Sequence, residues 1–191
     1  MLIKDVLITA AESIGRTDLT SAIESAYSAA VSSGTSPSGE AAALLRCYRL
    51  VENEVALDHL PLRAQDTLLP VDGYVQFSDF SHSPVDVIEV RDAQGSKTEF
   101  EVLASRLYVG TGSGSVTIDY TYVPEQPKIS DETAFSDKVS ARLLAFGVAN
   151  EYLLTAGRYA EAAVWEKKYR DALSAAGLSR RKLCVRARRW V

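Results

Sequence analysis

Histidine, cysteine and methionine are scarce in this chain, which has two His, two Cys and one Met among 191 residues. His59 and His82 have no Cys, His or acidic residues at the spacing of metal ligands, so neither indicates a metal or catalytic site. Cys47 and Cys184 lie far apart in the sequence, which favours two reduced thiols in a cytosolic product over a disulfide framework. The sequence therefore predicts no metal and no cofactor.

Long apolar runs and familiar catalytic motifs are also absent. No segment reaches the roughly 18 uninterrupted apolar residues that a membrane helix needs. Residues 1–15 carry Asp5 and Glu12 inside their apolar run, which is typical of an amphipathic helix and not of a signal peptide. There is no Gly-x-Ser-x-Gly elbow and no Gly-Lys-Ser/Thr phosphate loop. We therefore expect a protein that is not an enzyme and does not bind membranes.

Charge is distributed unevenly along the chain. Residues 178–191 hold six Lys or Arg and no acidic residue, which leaves 15 of the 21 basic residues to balance 25 Asp and Glu in the body, a net charge of −10. The acidic pairs Glu52/Glu54 and Asp131/Glu132 belong to this body. Glu52 and Glu54 would point in different directions on a helix, and Asp131 and Glu132, in a loop, are expected to be solvated. Because a body this acidic repels a phosphate backbone, any contact with nucleic acid would be confined to the C-terminal segment.

Helix-spaced apolar residues indicate five helices, at residues 2–14, 17–31, 39–59, 136–157 and 158–177. Glycines 15, 157 and 177 are expected to end the first, fourth and fifth of them, and Ser136 to cap the fourth. The fourth helix is apolar over most of its circumference, so we expect burial on several sides. The short connection at Gly157 predicts that the last two helices form an antiparallel hairpin.

The apolar faces of three helices can be predicted from the same spacing. The second helix presents Leu19, Ile23, Ala26, Tyr27, Ala30 and Val31; the third presents Leu44, Tyr48, Val51 and Val55, with Glu52 and Glu54 off the stripe; the last presents Tyr159, Ala162, Trp165, Tyr169, Ala172, Leu173 and Ala176.

Between residues 62 and 127 the pattern changes to short segments rich in β-branched and aromatic residues: TLLPV, GYVQFSDF, VDVIEVRD, EFEVLA, RLYVG and SVTIDYTYV. In the last segment Val116, Ile118, Tyr120 and Tyr122 alternate with polar residues, which is typical of an antiparallel strand with one buried face. DAQGS at 92–96 and GTGSG at 110–114 are predicted hairpin turns. No helical pattern separates the strands, which excludes a parallel βαβ arrangement.

The predicted fold class is therefore α+β: mainly a helical bundle with an inserted antiparallel β-domain and an extended C-terminal arm. Residues 1–62 form one part of the bundle, 63–127 the β-domain, 128–177 the helical hairpin that completes the bundle, and 178–191 the basic arm.

The arm alternates apolar and polar residues with a period of two, which suits an extended segment that adds to a sheet or lies in a groove. It could be a solvated tail, a DNA contact or a protein-docking strand. Docking is favoured because a segment that only binds phosphates needs no apolar face, and Trp and Arg are enriched at binding hot spots. The predicted docking residues are Arg180, Arg181, Lys182, Leu183, Val185, Arg186, Arg188, Arg189 and Trp190.

Four stretches of the chain carry a family resemblance. They are AAALLRCYRLVENEVALDHLPL, the strand segments EFEVLASRLYV and GSVTIDYTYVP, and the closing helices ARLLAFGVANEYLLTAGRYAEAAVWEKKYRDAL. In this order they resemble the head-to-tail adaptor proteins of tailed bacteriophages, from about residue 40 to residue 177.

The resemblance implies a structural protein of the virion neck, made in the host cytoplasm and assembled as a ring of about twelve copies. In such adaptors the C-terminal arm docks on the portal protein, and a stopper or tail component binds below. The capsid is a further candidate partner for the β-domain, and double-stranded DNA would pass through the ring without specific binding. The alternative is a nucleic-acid-binding protein that uses the basic arm.

Overall fold

The computed structural model describes residues 1–110, 114–135 and 139–178 and shows a mixed α+β protein, which confirms the predicted class. The chain divides into two compact units. A helical unit consists of Met1–Val51 together with the residues from Ile129 onward, and a β unit consists of Glu52–Lys128. The division falls inside the third helix, earlier in the chain than the predicted boundary at residue 62.

Five α-helices lie in the described part of the chain: α1 (Ile3–Ser13), α2 (Asp18–Ser33), α3 (Gly39–Glu54), α4 (Ala141–Thr155) and α5 (Tyr159–Ala175). A π-helical turn, Val55–His59, continues α3. The three predicted terminal glycines follow α1, α4 and α5 with φ of 74°, 73° and 71°, in the left-handed region where a side chain would be strained. Ser140 caps α4 by accepting a hydrogen bond from the Leu143 N–H, and the predicted cap Ser136 lies outside the described residues.

Helix α4 is the centre of the helical unit, as its apolar circumference predicts. Nine of its residues are buried: Leu143, Leu144, Ala145, Gly147, Val148, Ala149, Asn150, Tyr152 and Leu153. It packs on α1 and on α5, and α1 packs in turn on α2. The start of α1 is tied to the second half of the unit, because Ile3 N–H donates to Asp131 O and Thr133 N–H donates to Met1 O.

Gly147 allows the helices around α4 to approach closely. A Cβ atom at this position would lie 2.6 Å from Cγ1 of Val51 on α3 and 3.1 Å from Cε2 of Tyr169 on α5. Real Cβ atoms do not approach other atoms to 2.6 Å, so any side chain here would push the neighbouring helices apart. The absence of a side chain at Gly147 therefore sets how closely α3 and α4 pack.

The predicted faces of α2 and α5 are only partly correct. On α2, Leu19 and Ile23 are buried, but Val31 is 63% exposed because only α1 packs extensively on this helix. On α5, Ala162, Tyr169 and Leu173 are buried, whereas Tyr159 is 70% exposed. The predicted face loses its cover at the C-terminal end of α2 and at both ends of α5, where Ala176 is exposed as well. Helical spacing alone carries no information about where a neighbouring element ends.

The predicted stripe of α3 is confirmed, since Leu44, Tyr48, Val51 and Val55 are all buried. Glu52, predicted to lie off this stripe, is nevertheless buried and only 1% exposed. The reason is that the helix is covered on two sides: Ala41, Leu45 and Ala56, on the same side as Glu52, are buried as well. Asp131 and Glu132 are exposed, as expected.

Six strands form two antiparallel three-stranded sheets in the β unit, ordered β1-β6-β3 and β2-β5-β4. The strands are β1 (Leu62–Leu68), β2 (Tyr74–Gln76), β3 (Pro84–Arg91), β4 (Glu101–Val102), β5 (Arg106–Tyr108) and β6 (Val116–Tyr122). One face of β6 is buried, as its alternation predicts. The sheets share one apolar core: Val75, Phe80, Val87, Val90, Leu107, Val109, Val116, Ile118 and Tyr120.

Two of the predictions for the β unit need correction. The first strand runs from Leu62 to Leu68, so the predicted strand TLLPV lies mostly beyond its end, and Leu69 and Val71 are each 71% exposed. The predicted hairpin turn GTGSG falls mostly on residues 111–113, outside the described residues, but the strands on either side of it, β5 and β6, do not pair with each other and belong to different sheets. The predicted turn at 92–96 is confirmed: Asp92 N–H donates to Ser96 O, and Arg91 pairs with Lys97.

Candidate functional site

The predicted docking residues lie outside the described part of the chain, which ends at Leu178. The structure does show how α5 ends immediately before them. Leu178 N–H donates to Leu173 O at 2.8 Å, Gly177 N–H donates to Ser174 O at 3.0 Å, and the Leu178 side chain is buried. This pair of bonds around a left-handed glycine is a Schellman motif, and it anchors the chain as far as the first residue of the predicted arm.

A surface groove in the helical unit is formed by α1, α4 and α5. Its volume is about 660 Å³, and it is lined by Thr9, Ser13, Ser140, Arg142, Leu143, Phe146, Trp165, Lys168, Asp171, Ala172 and Ala175. Phe146 and Trp165 face each other with ring centroids 5.5 Å apart and planes inclined at 50°. Both rings are half-buried, so each keeps apolar surface in contact with solvent.

Two cations lie over these rings. The Arg142 guanidinium carbon is 5.2 Å from the centroid of Phe146, and Lys168 Nζ is 3.7 Å from the centroid of Trp165. Arg142 precedes Phe146 by four residues, and Lys168 follows Trp165 by three. Each cation is therefore one helical turn from its ring, a spacing that brings side chains together on a helix. These cation–π contacts hold positive charge beside the apolar floor of the groove.

Two neighbouring arginines, Arg158 at the start of α5 and Arg170 on it, are paired with acidic residues. Arg158 forms a salt bridge with Glu161 at 2.5 Å, and Arg170 forms one with Glu166. By contrast, neither Arg142 nor Lys168 has a carboxylate within ion-pair distance among the residues that the structure describes. The groove therefore offers two positive charges to an incoming group.

A separate polar network crosses the β unit. Asp66 on β1 accepts hydrogen bonds from the Ser81 N–H at 2.7 Å, the Ser81 hydroxyl at 2.8 Å and the Tyr120 hydroxyl at 2.7 Å. Burial raises the pKa of Asp66, but these three donors outweigh it and hold the pKa below its ordinary value. Burial and the bond to Asp66 raise the pKa of Tyr120 to about 12. The network fixes the segment before β3 to the sheet, which is a structural role.

Tyr152 makes a second long-range link, within the helical unit. Its hydroxyl donates to Glu40 Oε2 at 2.8 Å and accepts from Arg16 Nη1 at 3.3 Å. Burial and then the bond to Glu40 raise the pKa of Tyr152, and the Asp18 carboxylate raises the pKa of Arg16. Each of these polar groups has its hydrogen-bond or ion-pair partner within the cluster. The cluster therefore stabilises the packing between helices and leaves no group positioned for chemistry.

His82 makes an aromatic contact within the β unit. The His82 ring stacks on Tyr122, with centroids 4.2 Å apart and planes inclined at 10°. Across residues 1–110, 114–135 and 139–178, His, Cys, Asp and Glu side chains do not gather into a group that could hold a metal ion. Cys47 is buried, and burial followed by the nearby Glu151 raises the pKa of its thiol to about 11, so it is a weak nucleophile.

Sequence reasoning missed the groove because it assigned Phe146 and Trp165 to buried faces. The signal that was present is the position of Arg142 four residues before Phe146 and of Lys168 three residues after Trp165. Such a pairing is typical of an aromatic residue at the edge of a core, where a cation can cover it.

Comparisons with known proteins give no match: no family model fits the chain, and no curated protein is similar to it. Among the described helices, none combines the length and the apolar character required to cross a bilayer.

Proposed function

We propose that this chain is a structural, non-enzymatic adaptor of a tailed-phage virion. In this proposal about twelve copies form a ring below the portal, join the capsid to the tail in the virion neck, and let DNA pass. Arg180, Arg181, Arg186, Arg188, Arg189 and Trp190 anchor the arm on the portal, with Lys182, Leu183 and Val185 completing the docking strand. A stopper or tail component binds on the other side.

The observation that carries the proposal is the separation of charge along the chain. The body has a net charge of −10, and the C-terminal segment has six basic residues and no acidic one. A channel through which DNA moves must not hold it, and an acidic wall repels the phosphate backbone. A basic, apolar and Trp-containing segment suits a protein partner, because Arg and Trp are the residues that most often dominate binding energy.

The finer architecture belongs to the same proposal. The helical unit is a bundle whose helices pack side by side around the channel, and the β unit is inserted to contact a neighbouring subunit, the capsid or the next ring. In support, α4 is buried on several sides within the helical unit, and the described chain is anchored up to Leu178, from which an extended arm can reach outward.

Truncation after Leu178, which keeps the buried Leu178 side chain and the Schellman motif, tests the proposal. The shortened chain should fold, because every described helix is retained, but should fail to join capsids that carry the portal of the same virus. Electron microscopy of the mixture measures the fraction of capsids bearing a ring below the portal. Equal occupancy by full-length and truncated chains would refute the docking role of the arm.

The same basic segment favours a second candidate, a nucleic-acid-binding protein, and two matched variants separate the functions. Replacing the arm's arginines by lysine keeps the charge, and therefore the counterion release that drives DNA binding, but removes the bidentate bonds that suit a protein surface. Replacing Leu183 and Val185 by serine removes the apolar face and leaves the charge. An adaptor loses portal binding in both variants, whereas a DNA-binding protein keeps its salt-dependent affinity for DNA in both.

A further inference from the structure

We infer that the groove between α1, α4 and α5 binds a short segment of a partner protein in which an apolar side chain is flanked by acidic residues. This inference concerns a surface distinct from the C-terminal arm and does not depend on the adaptor proposal. It rests on two observations: the half-buried rings of Phe146 and Trp165, and the two cations over them.

The rings of Phe146 and Trp165, which form the floor of the groove, explain why the ligand should have an apolar side chain at its centre. Phe146 and Trp165 are inclined to each other at 50°, so their exposed faces form a shallow angle and not a flat wall. Leu143 and Ala172 also line the groove. A single Leu or Phe side chain inserted here would bury apolar surface of both rings without moving the backbone, which is how anchor residues of peptide ligands bind.

The two cations of the groove, Arg142 and Lys168, explain why the ligand should carry acidic residues. Arg142 on α4 lies over Phe146 and Lys168 on α5 lies over Trp165, and neither has a carboxylate partner among the described residues. Asp171 also lines the groove, so its carboxylate reduces the positive charge there without cancelling it. Carboxylates placed before and after the anchor would reach one cation each.

Charge complementarity also decides against the most obvious internal occupant. The basic arm of this chain, or of a second copy, carries an apolar face and a Trp, but its six Lys and Arg residues would meet Arg142 and Lys168. Like charges in close contact oppose binding, so the arm is the wrong sign for this groove. A partner segment with acidic flanks has the sign that suits Arg142 and Lys168, and it would have to bind through these local contacts against the net negative charge of the body.

The chain provides its own fluorescent reporter for a test. It has two tryptophans, so the full-length Trp190→Phe variant leaves Trp165 in the groove as the sole emitter. The probes are capped five-residue peptides with Leu or Phe at the centre and Asp and Glu on either side. Their controls are the same peptides with Lys in place of the acidic residues, and with Gly in place of the anchor.

We expect the acidic Leu and Phe peptides to shift and quench Trp165 emission saturably, with a Kd on the order of 100 μM. The Gly-centred and Lys-flanked peptides should bind at least about tenfold more weakly. Calorimetry of the unsubstituted chain should give the same Kd, which shows that the Trp190 change does not create the site. Binding should weaken in about 0.5 M salt, because exposed ion pairs are screened.

Arg142→Ala with Lys168→Ala should weaken binding at least about tenfold, because two charge-assisted contacts are lost. Lys167→Ala is the matched control, since it removes a neighbouring charge on α5 that does not line the groove, and it should leave the Kd within about twofold. No saturable response to either acidic peptide, a preference for the Lys-flanked peptides, or equal weakening by the control would each overturn the inference. None of these results bears on portal binding by the arm, so this proposal and the adaptor proposal fail separately.

Discussion

Replacing Gly147 by alanine tests whether this glycine sets the spacing of α3, α4 and α5. Two effects oppose each other. Alanine favours a helix interior over glycine by about 1 kcal/mol. Its Cβ, however, would lie 2.6 Å from Val51 Cγ1 and 3.1 Å from both Val51 Cγ2 and Tyr169 Cε2. Overpacking of this kind costs about 1–3 kcal/mol, and Val51 is β-branched and fully buried, so it cannot turn away. We expect Gly147→Ala to lower the free energy of unfolding by about 1 kcal/mol net.

Combining Gly147→Ala with Val51→Ala separates the gain in helix propensity from the cost of overpacking. Val51→Ala alone removes two buried methyl groups and should cost about 2 kcal/mol. With those methyl groups gone, Gly147→Ala should become neutral or stabilising by up to about 1 kcal/mol, because only the propensity gain remains. The coupling between the two positions should therefore be about 1–2 kcal/mol, within the range found for residues in direct contact.

Urea unfolding followed by circular dichroism at 222 nm measures these differences as changes in midpoint at constant slope. Val31→Ala is the matched control, since Val31 is a helical valine that is 63% exposed on α2. Its effect should add to that of Gly147→Ala without coupling. A single variant Gly147→Ala that is more stable than the unsubstituted chain by about 1 kcal/mol would show that propensity alone decides, and the steric reasoning would then be wrong.

Three further predictions concern the β unit and the buried thiol. Tyr120→Phe should lower the free energy of unfolding by about 1–2 kcal/mol at pH 7, because it removes a hydrogen bond to the Asp66 carboxylate. The pKa of Asp66 is lowered in the folded state, so this stabilisation is present above about pH 4 and is lost as the pH falls below it; a loss independent of pH would contradict the role of the carboxylate. Gly73→Ala should cost about 2–3 kcal/mol in thermal or urea unfolding, because φ there is 82° and a Cβ would lie 2.8 Å from a backbone carbonyl oxygen; a cost within about 0.5 kcal/mol of zero would refute this. In a Cys184→Ser background, Cys47 should react with a thiol reagent at pH 8 far more slowly in the folded than in the urea-unfolded chain, since burial raises the pKa of its thiol to about 11; equal rates would show that the thiol is accessible.

Much of the helical structure could be predicted because its signals are local. The glycines at 15, 157 and 177 end their helices where expected, since a left-handed residue and the backbone bonds across it involve only a few neighbouring positions. The turn at 92–96 was predictable for the same reason. A further local signal, the Asp72-Gly73 pair with φ of 53° and 82°, marks the tight turn before β2 and could have been used.

Strand pairing could not be predicted to the same degree. RLYVG and SVTIDYTYV are close in sequence and separated by glycines, so a hairpin is the simplest expectation. In the structure, β6 instead pairs with β1 and β3, and β5 pairs with β2 and β4. The choice depends on the core that both sheets share, whose free energy is a property of the whole unit and not of any one segment.

The C-terminal arm and the groove between α1, α4 and α5 also differ in how far the sequence predicts them. The basic arm can be predicted from residues 178–191 alone, because charge and a period of two are properties of consecutive residues. The groove depends on the packing of α5 against α4, which brings Arg142, Phe146, Trp165 and Lys168 together from two helices and leaves the rings half-buried.

The amino-acid sequence by itself therefore determined the α+β class, the positions of most helices and the segregation of basic charge at the C-terminal end. The tertiary structure alone decided which apolar residues keep solvent contact, that Glu52 is buried, and which strands share a sheet. The physical reason is the distance along the sequence over which each effect acts. Capping, turn geometry and periodicity involve residues only a few positions apart. Burial and strand order depend on contacts between distant segments, and those contacts form only when the whole unit packs.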